Sequence, residues 1–142
     1  MIAGFTLHPQ LAKDTVPVGD LPLSRILLVN DANFPWLILV PRRAGLTELI
    51  DLEENEQVQL LGEIANSARV LKTITTCDKL NIAALGNQVP QLHVHVIARR
   101  HGDAAWPKPV WGAAAPSAYA AIARERLVTA IRDGLQISPA AD

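Results

Sequence analysis

The sequence predicts an α+β fold: an antiparallel sheet of about five strands, crossed by one long helix and followed by a second helix near the C-terminus. Three observations carry that prediction. Short apolar runs rich in β-formers come in two pairs, residues 24–30 with 35–42 and residues 79–85 with 91–99. Between the pairs, apolar residues recur at threes and fours. A second stretch of that period follows a loop rich in proline and glycine.

Residues 1–23 hold many turn formers (Pro9, Pro17, Gly19, Asp20, Pro22) and read as a leading segment with at most one short strand near 15–18. The runs 24–30 and 35–42 flank Asp31, Ala32, Asn33 and Phe34, which predicts an antiparallel hairpin. Both runs are apolar on both faces, as expected of central strands covered by other elements. Asp51, with Glu54 three residues on, has the form of a helix start. Val58, Leu61, Ile64, Ala65, Ala68, Leu71 and Ile74 then share a face, while Gln59, Glu63, Asn66 and Arg69 occupy others. A helix of about 22 residues, roughly 33 Å long, follows from that pattern. Residues 79–85 read as a strand, 86–90 as a turn and 91–99 as the partner strand. From 100 to 116 the chain is too broken by Gly102, Pro107, Pro109, Gly112 and Pro116 for a helix, and its two tryptophans predict an ordered loop folded back on the protein. Ser117 offers a cap for a helix through Ala121, Arg124, Leu127, Val128 and Ile131 that stops near Gly134. Residues 137–142 are expected to fray.

A chain of 142 residues fits one domain spanning 1–142, with 24–99 as its core and 100–142 as loop and terminal helix. Hydrophobic residues make up 49% and charged residues 19%, which excludes disorder of the whole chain. Thirteen basic against fourteen acidic side chains leave a net charge of -1, so no global basic field exists to hold nucleic acid. The one cysteine, Cys77, can form neither an internal disulfide nor a thiolate zinc cage and fits a reducing cytoplasm. The opening MIAGFTLHPQ lacks the pattern of a signal peptide, and no long uncharged apolar stretch follows, so a membrane partner is not expected.

The strand at 91–99 carries the chemistry. Side chains alternate along a strand, so Gln91, His93 and His95 project from one face and Leu92, Val94 and Val96 from the other. The apolar set can anchor the strand under the long helix, leaving the polar set at an opening or beneath the tryptophan loop. Two imidazoles about 7 Å apart along a strand can donate, accept or attack near neutral pH, which suits phosphoryl chemistry. The same pattern also fits two ordinary polar residues on a solvated face.

The segment GNQVPQLHVHVIAR, Gly86 to Arg99, resembles the signature of the histidine triad (HIT) superfamily of nucleotide hydrolases and transferases. LLVNDANFPWLILVPR resembles that family's early hairpin, and the likeness covers residues 24–99 in order. AWPKPVWG, Ala105 to Gly112, is similar to a small bacterial branch of HIT-like proteins. The resemblance implies a HIT-like sheet, a symmetric homodimer, a small-molecule nucleotide as ligand and no cofactor or resident metal. It places the nucleophile on His93, which would form a nucleotidyl-histidine at the α-phosphate of a purine nucleoside derivative. It places a phosphate contact, with help to the leaving group if protonated, on His95. Gly86, Asn87 and Gln88 fall where the phosphate is held, and Asn30 or Asp31 where ribose hydroxyls are bound. As plain turn residues, Asn87, Asn30 and Asp31 need no ligand.

Two positions depart from the family's pattern. Gln91 stands at the first triad position, where an amide cannot titrate. Trp36 stands where many relatives have a histidine. A nucleotide sensor without turnover is therefore a rival reading, as is a metalloenzyme in which His93 and His95 share a metal. Arg99, Arg100 and His101 form a basic cluster expected at a solvated strand end. Trp106 and Trp111 fit a lid or a base-stacking role, and equally plain packing.

Overall fold

The computed structural model describes residues 4–140. Its elements are α1 (Pro9–Asp14), β1 (Thr15–Asp20), β2 (Ser24–Val29), β3 (Trp36–Pro41), α2 (Glu54–Thr75), β4 (Lys79–Ala83), β5 (Val94–Arg99) and α3 (Ala121–Leu135), with a 3-10 turn at Leu49–Asp51. The five strands form one antiparallel sheet in the order β1-β2-β3-β5-β4. Both predicted strand pairs are present: β2 pairs β3, and β4 pairs β5 with Lys79 opposite Arg99 and Ala83 opposite His95. Among the described residues no helix is long and apolar enough to cross a membrane.

Alternation along the strands splits the core into two layers. Ile26, Leu28, Leu37, Leu39, Val96 and Ala98 face α2 and α3, where Ala68, Leu71, Val128, Ile131 and Leu135 meet them. Leu27, Trp36, Ile38, Val40 and Ile97 face the other way, against Leu11 of α1 and Ala105 and Val110 of the following loop. All six residues of β3 are buried, as expected of a strand covered on both sides.

Several expectations are corrected. The leading segment contains α1, with Pro9 at its first turn and His8 as its cap. Asp51 does not start α2; its carboxylate accepts from the Thr47 and Glu48 amides and closes the preceding turn, and Glu53 is the N-cap. The buried stripe of α2 is Leu60, Glu63, Ser67, Ala68, Leu71 and Thr75, while Val58 and Leu61 are 72% and 66% exposed. Glu63 can face inward because the backbone N–H groups of Leu23 and Ser24 each donate to its carboxylate at 2.8 Å. That bond pair rotates the helix away from the apolar count.

The final strand begins at Val94, so Gln91 and His93 sit just ahead of the ladder. Ser117 caps no helix: its N–H donates to Asp31, its carbonyl accepts from Ala32, and α3 starts at Ala121 behind Ala120. Gly134 lies inside α3, and a side chain there would stand 2.6 Å from Val70 of α2. Ile137 packs on the core rather than fraying; Ala141 and Asp142 lie outside the described residues. Arg99 is no solvated strand end. It is 2% exposed, its guanidinium bonds the Asp103 carboxylate at 2.8 and 3.0 Å and the Asn81 amide oxygen at 2.8 Å, and it lies over the Phe34 and Trp106 rings.

Candidate active site

Alternation in β5 sends Val96 and Ala98 under the helices and turns His95 toward the face covered by α1 and the 100–116 loop. His93 joins it there, with the two rings 4.9 Å apart between centroids and nearly perpendicular. Their side chains are largely sheltered, at 7% and 5% exposure, yet both line a cleft of about 630 Å³. That volume is in the usual range for small-molecule sites.

Hydrogen bonds fix the proton on each ring. The Gln91 carbonyl can only accept, so at 2.6 Å the His93 Nδ1 must donate to it. The Nε2 lone pair of neutral His93 is then left over, with no hydrogen bond to a described residue. The Trp36 indole N–H can only donate, so at 3.0 Å the His95 Nδ1 must accept. Neutral His95 therefore carries its proton on Nε2. Burial chiefly, with a smaller coulombic contribution from neighbouring His93, lowers the His95 pKa from 6.5 to about 4, so the ring is uncharged at neutral pH. Trp36 and Trp111 both meet the His95 ring, at 5.7 and 4.9 Å between centroids. The site therefore pairs one imidazole lone pair with one imidazole N–H donor. That combination suits attack on a phosphorus whose oxygens need a neutral donor.

Gly86, Asn87 and Gln88 line the same cleft with Val89. Gly86 has φ 75°, a left-handed conformation that glycine adopts without strain, and Asn87 and Gln88 are exposed. Leu11, Val29 and Ile38 supply an apolar wall, and His8, Gln10 and Asp14 of the α1 region complete the lining. Asn30 and Asp31 are not part of it. Asp31 is buried and its carboxylate accepts from the Asn33 and Ser117 N–H groups, while the Asn30 N–H donates to the Asp14 carbonyl. Gln91 is also outside the lining. Its amide is engaged with the leading segment, donating to the Thr6 carbonyl and accepting from the His8 N–H, each at 2.9 Å.

Sequence reasoning did not bring His8, Gln10 or Asp14 into the site. The available signal was Pro9, a residue favoured at the first position of a helix, with His8 before it as cap. Of the two tryptophans of the loop, Trp111 lines the cleft and Trp106 packs against His101 and Arg99. Among the described residues no group of three or more His, Cys, Asp or Glu side chains is arranged to hold a metal ion.

Comparison with known proteins bears on the family and the fold. The model of the HIT domain family matches residues 10–102. The chain belongs to the HIT family. This HIT protein is similar to a solved histidine triad protein from Bradyrhizobium japonicum, with 57% identity, a TM-score of 0.91, and coverage of 92% of this chain and 98% of that one. A histidine triad protein from Marinobacter aquaeolei shares 41% identity at a TM-score of 0.91, covering 96% of this chain and all of the other. A curated relative, AP-4-A phosphorylase of Mycobacterium tuberculosis, is 32% identical over 109 residues, 70% of this chain. The HIT protein spans only 55% of that relative's length.

Proposed function

We propose that this HIT protein is a nucleotide hydrolase or nucleotidyl transferase, acting at the α-phosphate of a purine nucleoside derivative through a covalent nucleotidyl-His93 intermediate. One observation carries the reading: a His93 ring with Nδ1 engaged and Nε2 unengaged, beside a neutral His95 whose remaining proton is on Nε2. The His93 Nε2 lone pair attacks phosphorus. A P–N bond forms as the bond to the leaving group breaks, and the departing group leaves with the bonding electron pair and, where it is an amine, with a proton taken from solvent. The phosphorylated ring, still protonated on Nδ1, is cationic, and the Gln91 carbonyl 2.6 Å away stabilises it. Water or another acceptor then attacks phosphorus and releases its proton to solvent, and the P–N electron pair returns to Nε2.

His95 donates its Nε2–H to a non-bridging oxygen as charge builds there. Its low pKa argues against the role of a protonated acid for the leaving group. Gly86, Asn87 and Gln88 hold the phosphate, and Leu11, Val29 and Ile38 receive the base. The name of the curated relative, AP-4-A phosphorylase, supports a nucleotide substrate. Ribose recognition by Asn30 or Asp31 finds less support in the geometry, since neither lines the cleft and Asp31 Oδ1 already accepts two backbone N–H groups.

The protein as proposed is a homodimer. β4 is a sheet edge carrying half-exposed Ile82, and α2 leaves Val58 and Leu61 uncovered, apolar surface that a second copy would cover. The buried, unpaired Cys77 supports the cytoplasm as its compartment.

The test is mass spectrometry of the protein quenched during turnover of adenosine 5′-phosphoramidate and of diadenosine polyphosphates. A mass increase of one adenylate, lost in His93→Ala, is expected. Absence of both adduct and hydrolysis across that panel, with unchanged nucleotide affinity in His93→Ala, overturns the mechanism. Tight nucleotide binding without turnover would select a sensor instead.

A further inference from the structure

Gln91 occupies a triad position, yet its side chain does not enter the cleft. Its amide oxygen takes the His8 N–H and its amide nitrogen gives a hydrogen to the Thr6 carbonyl, both at 2.9 Å and across more than eighty residues of chain. An amide presents donor and acceptor side by side, as a neighbouring strand would. An imidazole has its two nitrogens pointing apart and cannot satisfy both backbone groups in this way. The replacement thus gives the motif a clamp on residues 6–8.

The clamp holds a third imidazole at the site. His8 lines the same cleft as His93 and His95. Its Nδ1 accepts the Gln10 N–H at 3.0 Å, an obligate donor, so the ring proton of neutral His8 is on Nε2. His8 is attached at the Gln91 end of the motif, and His95 follows His93 at the other end.

We propose that His8, held in place by Gln91, is a substrate-contacting residue whose Nε2–H binds a phosphate oxygen of the nucleotide, a second imidazole donor beside that of His95. This rests on the nucleotide-site reading above. It makes His8 a contact residue and Gln91 a positioning residue that acts through it. The site then holds three imidazoles, one offering a lone pair and two offering N–H groups, with one of the three recruited from outside the motif strand.

The experiment measures binding of AMP and of adenosine, which lacks the phosphate, by calorimetry. Wild type, His8→Ala, His8→Asn, Gln91→Ala and the double variant His8→Ala/Gln91→Ala are compared. Loss of one phosphate hydrogen bond predicts about a tenfold weaker AMP Kd in His8→Ala, with adenosine binding unchanged. Asparagine keeps both a capping oxygen and an amide donor, so His8→Asn is expected within about threefold of wild type. Gln91→Ala should match His8→Ala, and the double variant should be no weaker than either single one. In the wild type the His8 Nε2 resonance should move on AMP addition and stay still with adenosine.

AMP affinity unchanged in His8→Ala, or losses that add in the double variant, overturns the proposal while leaving the nucleotide site intact. Equal losses for AMP and adenosine in His8→Ala overturn it too, because a broken helix cap would explain them. A wild type that binds neither ligand overturns the nucleotide reading and this inference with it.

Discussion

Acid should weaken this protein through His95 before it weakens it through the Asp103 carboxylate. The buried ring stays neutral down to about pH 4, whereas in the unfolded chain it takes up a proton near 6.5. Between those values the unfolded state binds more protons, so stability falls as pH falls. At 1.36 kcal/mol per pH unit, the window from 6.5 to about 4 corresponds to a loss of at most about 3 kcal/mol. Asp103, held well below the carboxylate range chiefly by Arg99, gives up its contribution only as pH drops below its ordinary 3.8. The two effects therefore occupy separate windows. Urea unfolding of wild type and His95→Gln at pH 7, 6, 5 and 4.5 isolates the first. The wild type should lose about 1 kcal/mol per unit relative to the variant below pH 6.5, and NMR should show an unprotonated His95 at pH 5. Parallel stability curves, or a His95 midpoint near 6.5, would refute the reasoning. Desolvation outweighs the charge of His93 as the cause, so His93→Ala should raise the midpoint only partway.

Other substitutions test the surrounding structure. Trp36→Phe removes the only donor to His95 Nδ1 among the described residues, and nitrogen-15 spectra of the imidazole should change from one tautomer to a mixture; an unchanged spectrum would show that the indole does not set it. Asp103→Asn strips the charge from a bidentate pair that is nearly fully buried, which should cost about 3–5 kcal/mol in chemical denaturation; a change below 1 kcal/mol would contradict the burial of Arg99. Gly134→Ala should destabilise despite alanine's better helix propensity, by about 1–3 kcal/mol, because the added methyl meets the stiff Val70 side chain at 2.6 Å. Adding Val70→Ala should restore the melting temperature, and failure to do so would place the clash elsewhere.

The strands were legible because their apolar runs are continuous and their turns are marked by glycine, proline and asparagine. The long helix was legible in extent, ending at Thr75 after 22 residues, and misread in orientation. Apolar counting placed Val58 and Leu61 inside, yet the helix turns Glu63 inward to satisfy two backbone donors at the start of β2. A buried carboxylate with backbone partners leaves no trace in a hydrophobic pattern. The same holds for Arg99, whose partners Asn81 and Asp103 come from two other segments. In the site, the shared face of His93 and His95 followed from strand alternation. The α1 contribution did not, because His8 is brought in by Gln91 through pairing across the whole chain, and no local spacing encodes that.

The distance between the pieces of the cleft sets when it can exist. Its walls come from the segment around His8 to Asp14, the turn before β5, and Trp111, and the bonds from Gln91 to residues 6 and 8 close loops of 85 and 83 residues. Closures that long cost more chain entropy than the β2–β3 hairpin, which needs only its own turn, and are expected to follow it in folding. A partly assembled chain thus possesses the motif histidines without a chamber around them. Ligand capture becomes a report on the completed molecule, and any nucleotide held there adds its binding energy to the finished state alone.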